Sequence, residues 1–379
     1  MMMNSPKRST NTKIRMNKPT SLYIHIPFCE HICSYCDFPK LQYFSTFSNK
    51  YLKRLKEELD SYHINEQLET IYVGGGTPSA LPFDELKQLL EIIKPYSSGV
   101  IEYTFEANPE SLSLDKIKLL KSYGVNRISL GMQSTQEKYL KVMNRHHSFF
   151  DVRKVVDNLV DEGIDNINVD LILGLPNMNL KDLKADLDNV LTLPIKHLSC
   201  YSLTVSPHTA FYINGIKPQE DDVMREYYDF VHYYLLDKDF IHYEVSNWAK
   251  EGYMSKHNLT YWKNEQYYGV GLGASGYIGN IRYTNTKSIN QYNNGHNEKE
   301  EEVVDLPSLK TYMIMTNLRT IYGLDLNEYK ALFNEDLLAV KGVEIASLIG
   351  NKLIKIENHR LIPTYEGMMV LDQLILELL

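Results

Sequence analysis

Residues 21–38 read Ser21-Leu-Tyr-Ile-His-Ile-Pro-Phe-Cys-Glu-His-Ile-Cys-Ser-Tyr-Cys-Asp-Phe38, an apolar, strand-like run that ends in three cysteines. Cys29, Cys33 and Cys36 stand within eight residues, and a disulfide would pair only two of them. Thiolates this close are typical of a metal or iron–sulfur site. Because three ligands leave one iron of a four-iron cluster open, the stretch predicts a 4Fe-4S cluster with a free coordination position. A zinc site with Cys200 as fourth ligand is the alternative.

The composition bounds the class of protein. The chain has 379 residues, 43% hydrophobic and 23% charged, which suits one large globular domain with an appendage. Only four cysteines occur, three of them clustered, so the chain is not a disulfide scaffold and a cytoplasmic location is expected. A net charge of −8 argues against nucleic acid as the main partner. No apolar run reaches the length of about 18 residues that a membrane span needs.

Strand-like and helix-like segments alternate from residue 21 onward. The predicted strands are 22–26, 70–73, 103–106, 127–130, 167–173 and 198–203. The predicted helices are 51–61, 83–94, 114–123, 135–143, 152–162 and 180–191. Regular alternation predicts an α/β fold with a parallel sheet, because parallel strands need crossover connections. A partial barrel and a doubly wound sheet both remain open, and in either the carboxyl ends of the strands carry the site.

Four segments are predicted along the chain. Residues 1–20 carry five Lys/Arg and no acidic residue, which predicts a disordered tail, with Met16 as an alternative start. Residues 21–292 form the main domain, and the polar stretch 293–305 is predicted to be a linker. Residues 306–379 read as helices followed by a strand pair, which predicts a winged-helix-like module. This module has more acidic than basic residues, so packing or partner binding is expected rather than DNA reading.

Polar and glycine residues follow several predicted strands. The turn Gly74-Gly-Gly-Thr-Pro78 lets the backbone approach a ligand and offers amide donors. Glu106, Gln133, Arg145 and Asp170 lie at strand ends or in the loops that follow. A carboxylate or amide there can bind ribose hydroxyls or an ammonium group, and a guanidinium can clamp a carboxylate. Taken singly, each residue is better explained as an ordinary surface or capping residue.

A second motif, Ser255-Lys-His-Asn-Leu-Thr-Tyr-Trp262, places His257, Tyr261 and Trp262 within six residues. Together they can present an imidazole ligand beside a flat aromatic surface, and haem needs both. The alternative is a loop that closes the barrel mouth, with its histidine satisfied by hydrogen bonds.

These motifs, in this order, resemble the radical S-adenosylmethionine superfamily. Tyr-Ile-His-Ile-Pro-Phe-Cys at 23–29 and Cys-Asp-Phe at 36–38 narrow the resemblance to the oxygen-independent coproporphyrinogen oxidase group, and to its haem chaperone branch. The resemblance covers residues 21–379. It implies a partial (β/α)6 barrel, the cluster on the three cysteines, and S-adenosylmethionine chelating the open iron.

The resemblance also implies roles for single residues. Those expected to contact S-adenosylmethionine are Tyr23, Tyr35, Gly75, Gly76, Thr77, Glu106, Gln133, Arg145 and Asp170. Those expected at haem are His257, Tyr261 and Trp262, with His257 as the axial ligand.

Three functions fit the resemblance. The first is a haem chaperone, with haem, an unidentified acceptor protein and a homodimer as expected partners, and an electron donor if the cluster is redox active. The second is the oxidase itself, which decarboxylates two propionates of coproporphyrinogen III, and the third is another radical enzyme. The oxidase pattern has a further Cys two positions after the third ligand, where this chain has Phe38. That difference and the His257 motif favour the chaperone, and whether the chain is an enzyme stays open.

Overall fold

The computed structural model describes residues 18–379, so the predicted tail and the alternative start at Met16 fall outside the described residues, apart from residues 18–20. Six parallel strands lie side by side in chain order: β1 (Ser21–Ile26), β2 (Thr70–Gly75), β3 (Glu102–Ala107), β4 (Arg127–Gln133), β5 (Asn166–Leu173) and β6 (His197–Ser202). All six predicted strands are therefore present, and the α/β fold class is confirmed.

Helices cover the outer face of these strands. They span Ser45–Ser61, Phe83–Ile93, Leu114–Ser122, Glu137–Val142, Phe149–Asp161 and Leu180–Val190. Two of them begin with a capping box, in which Ser148 pairs with Asp151 and Asn179 pairs with Asp182. Along β1, Leu22, Ile24 and Ile26 are fully buried in the core. Burial on both faces is what makes parallel strands read as apolar runs.

The sheet continues beyond the six strands on both sides. Tyr267–Val270 pairs in parallel with β1, followed outward by Ser275–Ile278, Ile281–Asn285 and Lys299–Val303. Asn247–Ala249 and Ile241–Glu244 extend it beyond β6. The twelve strands form an open order whose two ends do not pair, so the barrel is partial. Other helices of this part are Ala210–Ile213, Asp221–Leu236, Lys256–Trp262 and Ile289–Asn293.

One stretch of the predicted linker differs from expectation. Lys299–Val303 reads as a polar connector, yet it forms an antiparallel edge strand against Ile281–Asn285. Edge strands of natural sheets are rich in charged residues, which keeps them from pairing with other chains. The remaining boundaries of the four predicted segments stay a prediction.

The last 74 residues have a hydrophobic core of their own. Their helices are Leu306–Asn317, Leu326–Phe333, Leu337–Val340, Gly342–Gly350, Tyr365–Met369 and Leu371–Leu378. Leu324–Asp325, Arg360–Pro363 and Ile354–Glu357 make a three-stranded antiparallel sheet, as in a winged-helix-like module. Arg225 joins the module to the barrel through an ion pair of 2.8 Å with Glu366. Within residues 18–379, no helix has the length and apolar character needed to cross a membrane.

Candidate functional site

A cavity of about 390 Å³ opens at the carboxyl ends of the six parallel strands. This is the end at which barrel enzymes carry their sites. The cavity gathers nearly all the residues expected at the cluster and at S-adenosylmethionine. Those that line it are Cys29, Cys33, Tyr35, Cys36, Gly75, Gly76, Thr77, Glu106, Gln133, Arg145 and Asp170.

The three cysteines lie on one wall of this cavity. Phe28–Cys29 pairs with Leu41–Gln42, which closes the loop that carries the other two thiols. Thr77 Oγ1 donates to Cys29 Sγ at 3.6 Å, and Arg145 donates to Cys33 Sγ at 3.5 Å. Burial raises the pKa of Cys29 to about 11, although the Thr77 hydrogen bond lowers it. Because donors already point at two sulfurs, the wall fits a group that binds thiolates, and an iron–sulfur cluster is such a group.

Cys200 lies outside this arrangement. It is fully buried within β6, between Ser199 and Tyr201, and Tyr201 lines the cavity. Successive side chains of a strand point to opposite faces, so Cys200 points away from the cavity and packs in the core. The zinc alternative with Cys200 as fourth ligand is therefore wrong.

The glycine turn lines the cavity as expected, but its amides are not free donors. The amide of Gly75 donates to Glu106 at 2.9 Å, that of Gly76 to Ile26 at 2.8 Å, and that of Thr77 to Phe28 at 2.9 Å. The prediction that the turn offers amide donors is wrong, because protein acceptors already use them. Gly75 has φ +113°, and a Cβ there would lie 2.6 Å from the His25 ring. Glycine is needed for this close approach of β1 and β2.

Two half-buried carboxyl groups face the cavity. Glu106 accepts hydrogen bonds from Tyr72 at 2.6 Å and from the Gly75 amide, yet burial raises its pKa to about 7. Burial also raises the pKa of Asp170, which accepts from Asn168 at 2.7 Å. Carboxyl groups whose pKa is perturbed in a cleft are typical of binding and catalytic sites. Both are suited to a cationic or hydroxyl-bearing ligand.

Arg145 and Gln133 add two features that a missing polar ligand would explain. Arg145 donates to Asn108 at 2.9 Å and to the Gly131 carbonyl, but its buried Nε has no hydrogen-bond partner among residues 18–379. Gln133 has φ +72°, at an irregularity in β4. Buried polar atoms normally have partners, and a strained non-glycine backbone is concentrated at functional sites.

Of the two predicted tyrosines, the structure brings only one to the cavity. Tyr35 lines it and packs on Phe211. Tyr23 lies early in β1, where its hydroxyl meets His25 Nδ1 at 2.9 Å and its ring lies 6.1 Å from that of Tyr72. Tyr23 is thus an interior aromatic of the barrel rather than a wall of the cavity.

The second motif forms the helix Lys256–Trp262 at the opposite end of the barrel, against the amino ends of the strands. Glu102, the first residue of β3, accepts from the amides of Lys256 at 2.8 Å and His257 at 2.9 Å. A carboxylate at this position stabilises the first turn of a helix.

His257 is fully buried within that end. Its Nδ1 meets Thr70 Oγ1 at 2.7 Å, its Nε2 meets the Tyr261 hydroxyl at 2.7 Å, and burial lowers its pKa to about 3. The structure does not present His257 as an axial haem ligand, because the side chain is fully buried and both ring nitrogens are hydrogen-bonded. The alternative prediction is confirmed in that hydrogen bonds satisfy the histidine. It is wrong about the place, because the helix closes the barrel at the amino ends of its strands and not at the mouth. Trp262 lines a separate groove of about 1020 Å³ beside the C-terminal module.

Several residues of the cavity were not predicted. They include His31, Lys40, Asn108, Ser129, Ile172, Tyr201 and Thr204. Their position near the ends of strands is the signal that could have predicted them. Asn108 follows Glu106 by two residues, and Tyr201 lies near the end of β6. His31 lies inside the cysteine loop itself.

Family models match two parts of the chain. The model of the radical SAM superfamily matches residues 23–190, and that of the HemN C-terminal domain matches residues 312–370. The first range contains all three clustered cysteines, most of β1 and the whole of β2 to β5, and the second lies within the C-terminal module.

Three bacterial proteins similar to this chain share the name heme chaperone HemW. The heme chaperone HemW of Lactococcus lactis is 38% identical, with 93% of this chain and 95% of the relative covered. The HemW proteins of Bacillus subtilis and Escherichia coli are 43% and 34% identical, over 72% and 76% of this chain and 74% and 80% of their own. Among solved structures, the coproporphyrinogen III oxidase HemN of Escherichia coli superposes with a TM-score of 0.83 at 19% identity, with 95% of this chain and 90% of that chain covered. This last likeness shows the fold alone.

Proposed function

The chain belongs to the HemW family within the radical S-adenosylmethionine superfamily, and on this premise we propose that it is a haem chaperone. It binds haem and passes it to acceptor proteins. A 4Fe-4S cluster on Cys29, Cys33 and Cys36 and S-adenosylmethionine are its resident cofactors.

One observation carries the cofactor part of the proposal. Three thiols, with no fourth cysteine among the lining residues, share a cavity with two perturbed carboxyl groups and an arginine. When bound, the cluster supplies an open iron that the amino and carboxylate groups of S-adenosylmethionine chelate. Arg145 lies beside Cys33, where a guanidinium can neutralise thiolate or carboxylate charge.

The two carboxyl groups divide the rest of the cofactor between them. Burial raises the pKa of Glu106 to about 7, and a cation beside it would favour the ionised form, because an opposite charge stabilises a carboxylate. Asp170 lies on β5, where a carboxyl group can accept from ribose hydroxyls. The binding of haem by this chain is supported by the names of its relatives. A homodimer and an electron donor remain expectations of the same proposal.

The oxidase is the second candidate, since the coproporphyrinogen III oxidase shares the fold. Phe38 argues against it. This side chain lines the cavity and is 63% exposed at the position where the oxidase pattern has Cys. The cavity wall of this chain therefore offers a flat apolar surface instead of a thiol.

The test incubates the anaerobically reconstituted and reduced protein with S-adenosylmethionine and coproporphyrinogen III, and in parallel titrates it with haemin. We expect a Soret band on titration and no protoporphyrinogen by chromatography. Protoporphyrinogen formation would overturn the chaperone in favour of the oxidase. The absence of any Soret change would remove haem as the cargo.

A further inference from the structure

Two exposed histidines meet at the rim of the cluster cavity. His31 stands between Cys29 and Cys33, and His146 directly follows Arg145. Their ring centroids are 4.2 Å apart with the planes inclined by 43°. Neither imidazole has a hydrogen-bond partner within residues 18–379. This differs from His257, whose two ring nitrogens are both engaged.

The two rings are held together by the segments that carry them. Asn144 donates to the Ile32 carbonyl at 2.9 Å, and the Ser34 amide donates to Met143 at 3.0 Å. On the far side of His146, the buried His147 bonds to Glu110 at 3.1 Å and to the Met132 carbonyl at 3.1 Å. Anchored neighbours on both segments keep the pair in place without using either imidazole.

The surroundings fit a flat apolar ligand that does not enter the cavity. His31 and the exposed Phe38 line the same opening, together with Tyr201, which is 42% exposed. A cavity of about 390 Å³ is near the small end of the range for ligand sites. Once a cofactor occupies it, a macrocycle has room only at the mouth. Haem iron accepts an imidazole as axial ligand.

We propose that haem is bound at this mouth, with its iron ligated by the His31–His146 pair and not by His257. The inference rests on the proposed function, and it adds the residues that ligate the haem iron. Because the rings are too close to sandwich one iron, they act as alternatives: either one ligates, and the other can take over. The larger groove beside Trp262 has no histidine among its described lining residues, so it offers no imidazole ligand.

The test titrates the full-length, cluster-loaded protein with haemin and, separately, with metal-free protoporphyrin IX. The variants are His31→Ala, His146→Ala and the double variant, with His208→Ala as the exposed control. We expect each single variant to bind haemin a few times more weakly, and the double variant to lose about tenfold or more and to shift its Soret band. Metal-free porphyrin should bind the double variant as it binds wild type.

The outcomes separate this inference from the proposed function. An unchanged haemin affinity and Soret band in the double variant would overturn the ligand assignment while leaving the chaperone intact. A wild-type protein that binds no haemin would instead overturn the proposed function. Iron and sulfide content is measured on every variant, and a double variant with wild-type cluster content but reduced haemin affinity supports the inference. Restoration of the Soret band by added imidazole in His31→Gly/His146→Gly would confirm iron ligation.

Discussion

The two ends of the barrel contain equally conspicuous motifs that the structure uses in opposite ways. At the carboxyl ends of the strands, polar side chains surround an open cavity, with an arginine nitrogen left unpartnered. At the amino ends, Glu102, Thr70 and His257 form a closed network in which each imidazole nitrogen has a partner. At both ends, burial favours the neutral form of the titratable side chain. It raises the pKa of Glu106 to about 7 and lowers that of His257 to about 3.

The difference distinguishes a binding site from a structural plug. Groups that await a ligand leave donors unused and backbone strained, as Arg145 and Gln133 do. Around His257, the groups that hold the fold together satisfy one another. A motif read from sequence does not reveal which condition applies, because satisfaction depends on partners that are distant in the chain.

The largest expected effect separates the two kinds of cysteine. Cys33→Ala should abolish the cluster, since the remaining two thiols cannot hold it. Cys200→Ala, in the core behind β6, should keep the full iron and sulfide content after anaerobic reconstitution. Equal loss of iron in both variants would contradict the three-cysteine assignment and the comparison built on it.

The next effect lies at the closed end. His257→Ala removes the partner of Thr70 and Tyr261 and leaves a cavity, so we expect the free energy of unfolding to fall by about 3 kcal/mol or more. Urea denaturation of the cluster-free protein measures it. Glu106→Gln at the open end is the matched control, and its change should stay within about 1 kcal/mol when measured near pH 4.5, where the wild-type carboxyl is neutral. A His257→Ala variant as stable as wild type would show that the plug has no structural role.

A pH-dependent effect of similar or smaller size follows from Glu106. Its pKa of about 7 in the fold stands above the value of 4.5 for an unperturbed carboxyl. The neutral carboxyl therefore contributes stability that is complete below pH 4.5 and is lost as the pH rises through 7, roughly 3 kcal/mol in all. Because Gln does not titrate, urea unfolding across pH 4.5 to 8 should show Glu106→Gln gaining stability relative to wild type by about this amount as the pH rises. A constant difference between them would refute the raised pKa.

The smallest effect is expected at Phe38. This side chain is 63% exposed, so Phe38→Cys should change the free energy of unfolding by less than about 0.5 kcal/mol. Cluster content should also stay at the wild-type level, because three ligands are already present. If the substitution alone produced oxidase activity, the barrier between the two functions would be this one residue.

Much of the fold was accessible from sequence because its signals are local. The six parallel strands are buried and read as apolar runs, and Leu22, Ile24 and Ile26 show why. No local signal in the sequence decides between a barrel and an open sheet. It depends on Tyr267–Val270 pairing beside β1, more than 200 residues away in the chain. The edge strand Lys299–Val303 was missed because its exposed, charged residues carry no apolar pattern.

The residues of the site likewise divide into those that local sequence signals predict and those that depend on distant parts of the chain. Residues directly after strands, such as Glu106 and Asp170, were predictable because the carboxyl ends of parallel strands meet at one edge. Tyr23 was expected at the cavity, yet only its register partner Tyr72 lines it, and the Tyr23 hydroxyl is engaged with His25. The His31–His146 contact joins two loops more than 100 residues apart, and no spacing rule connects them.

The most direct test of the open end as a cofactor site is electron paramagnetic resonance of the reduced cluster, recorded with and without S-adenosylmethionine. We predict a spectrum that changes on addition of S-adenosylmethionine in wild type and in His257→Gln, and a weakened change in Glu106→Ala. A loaded, reduced cluster whose spectrum is the same with and without S-adenosylmethionine would contradict the assignment of the open iron and of the cavity around it.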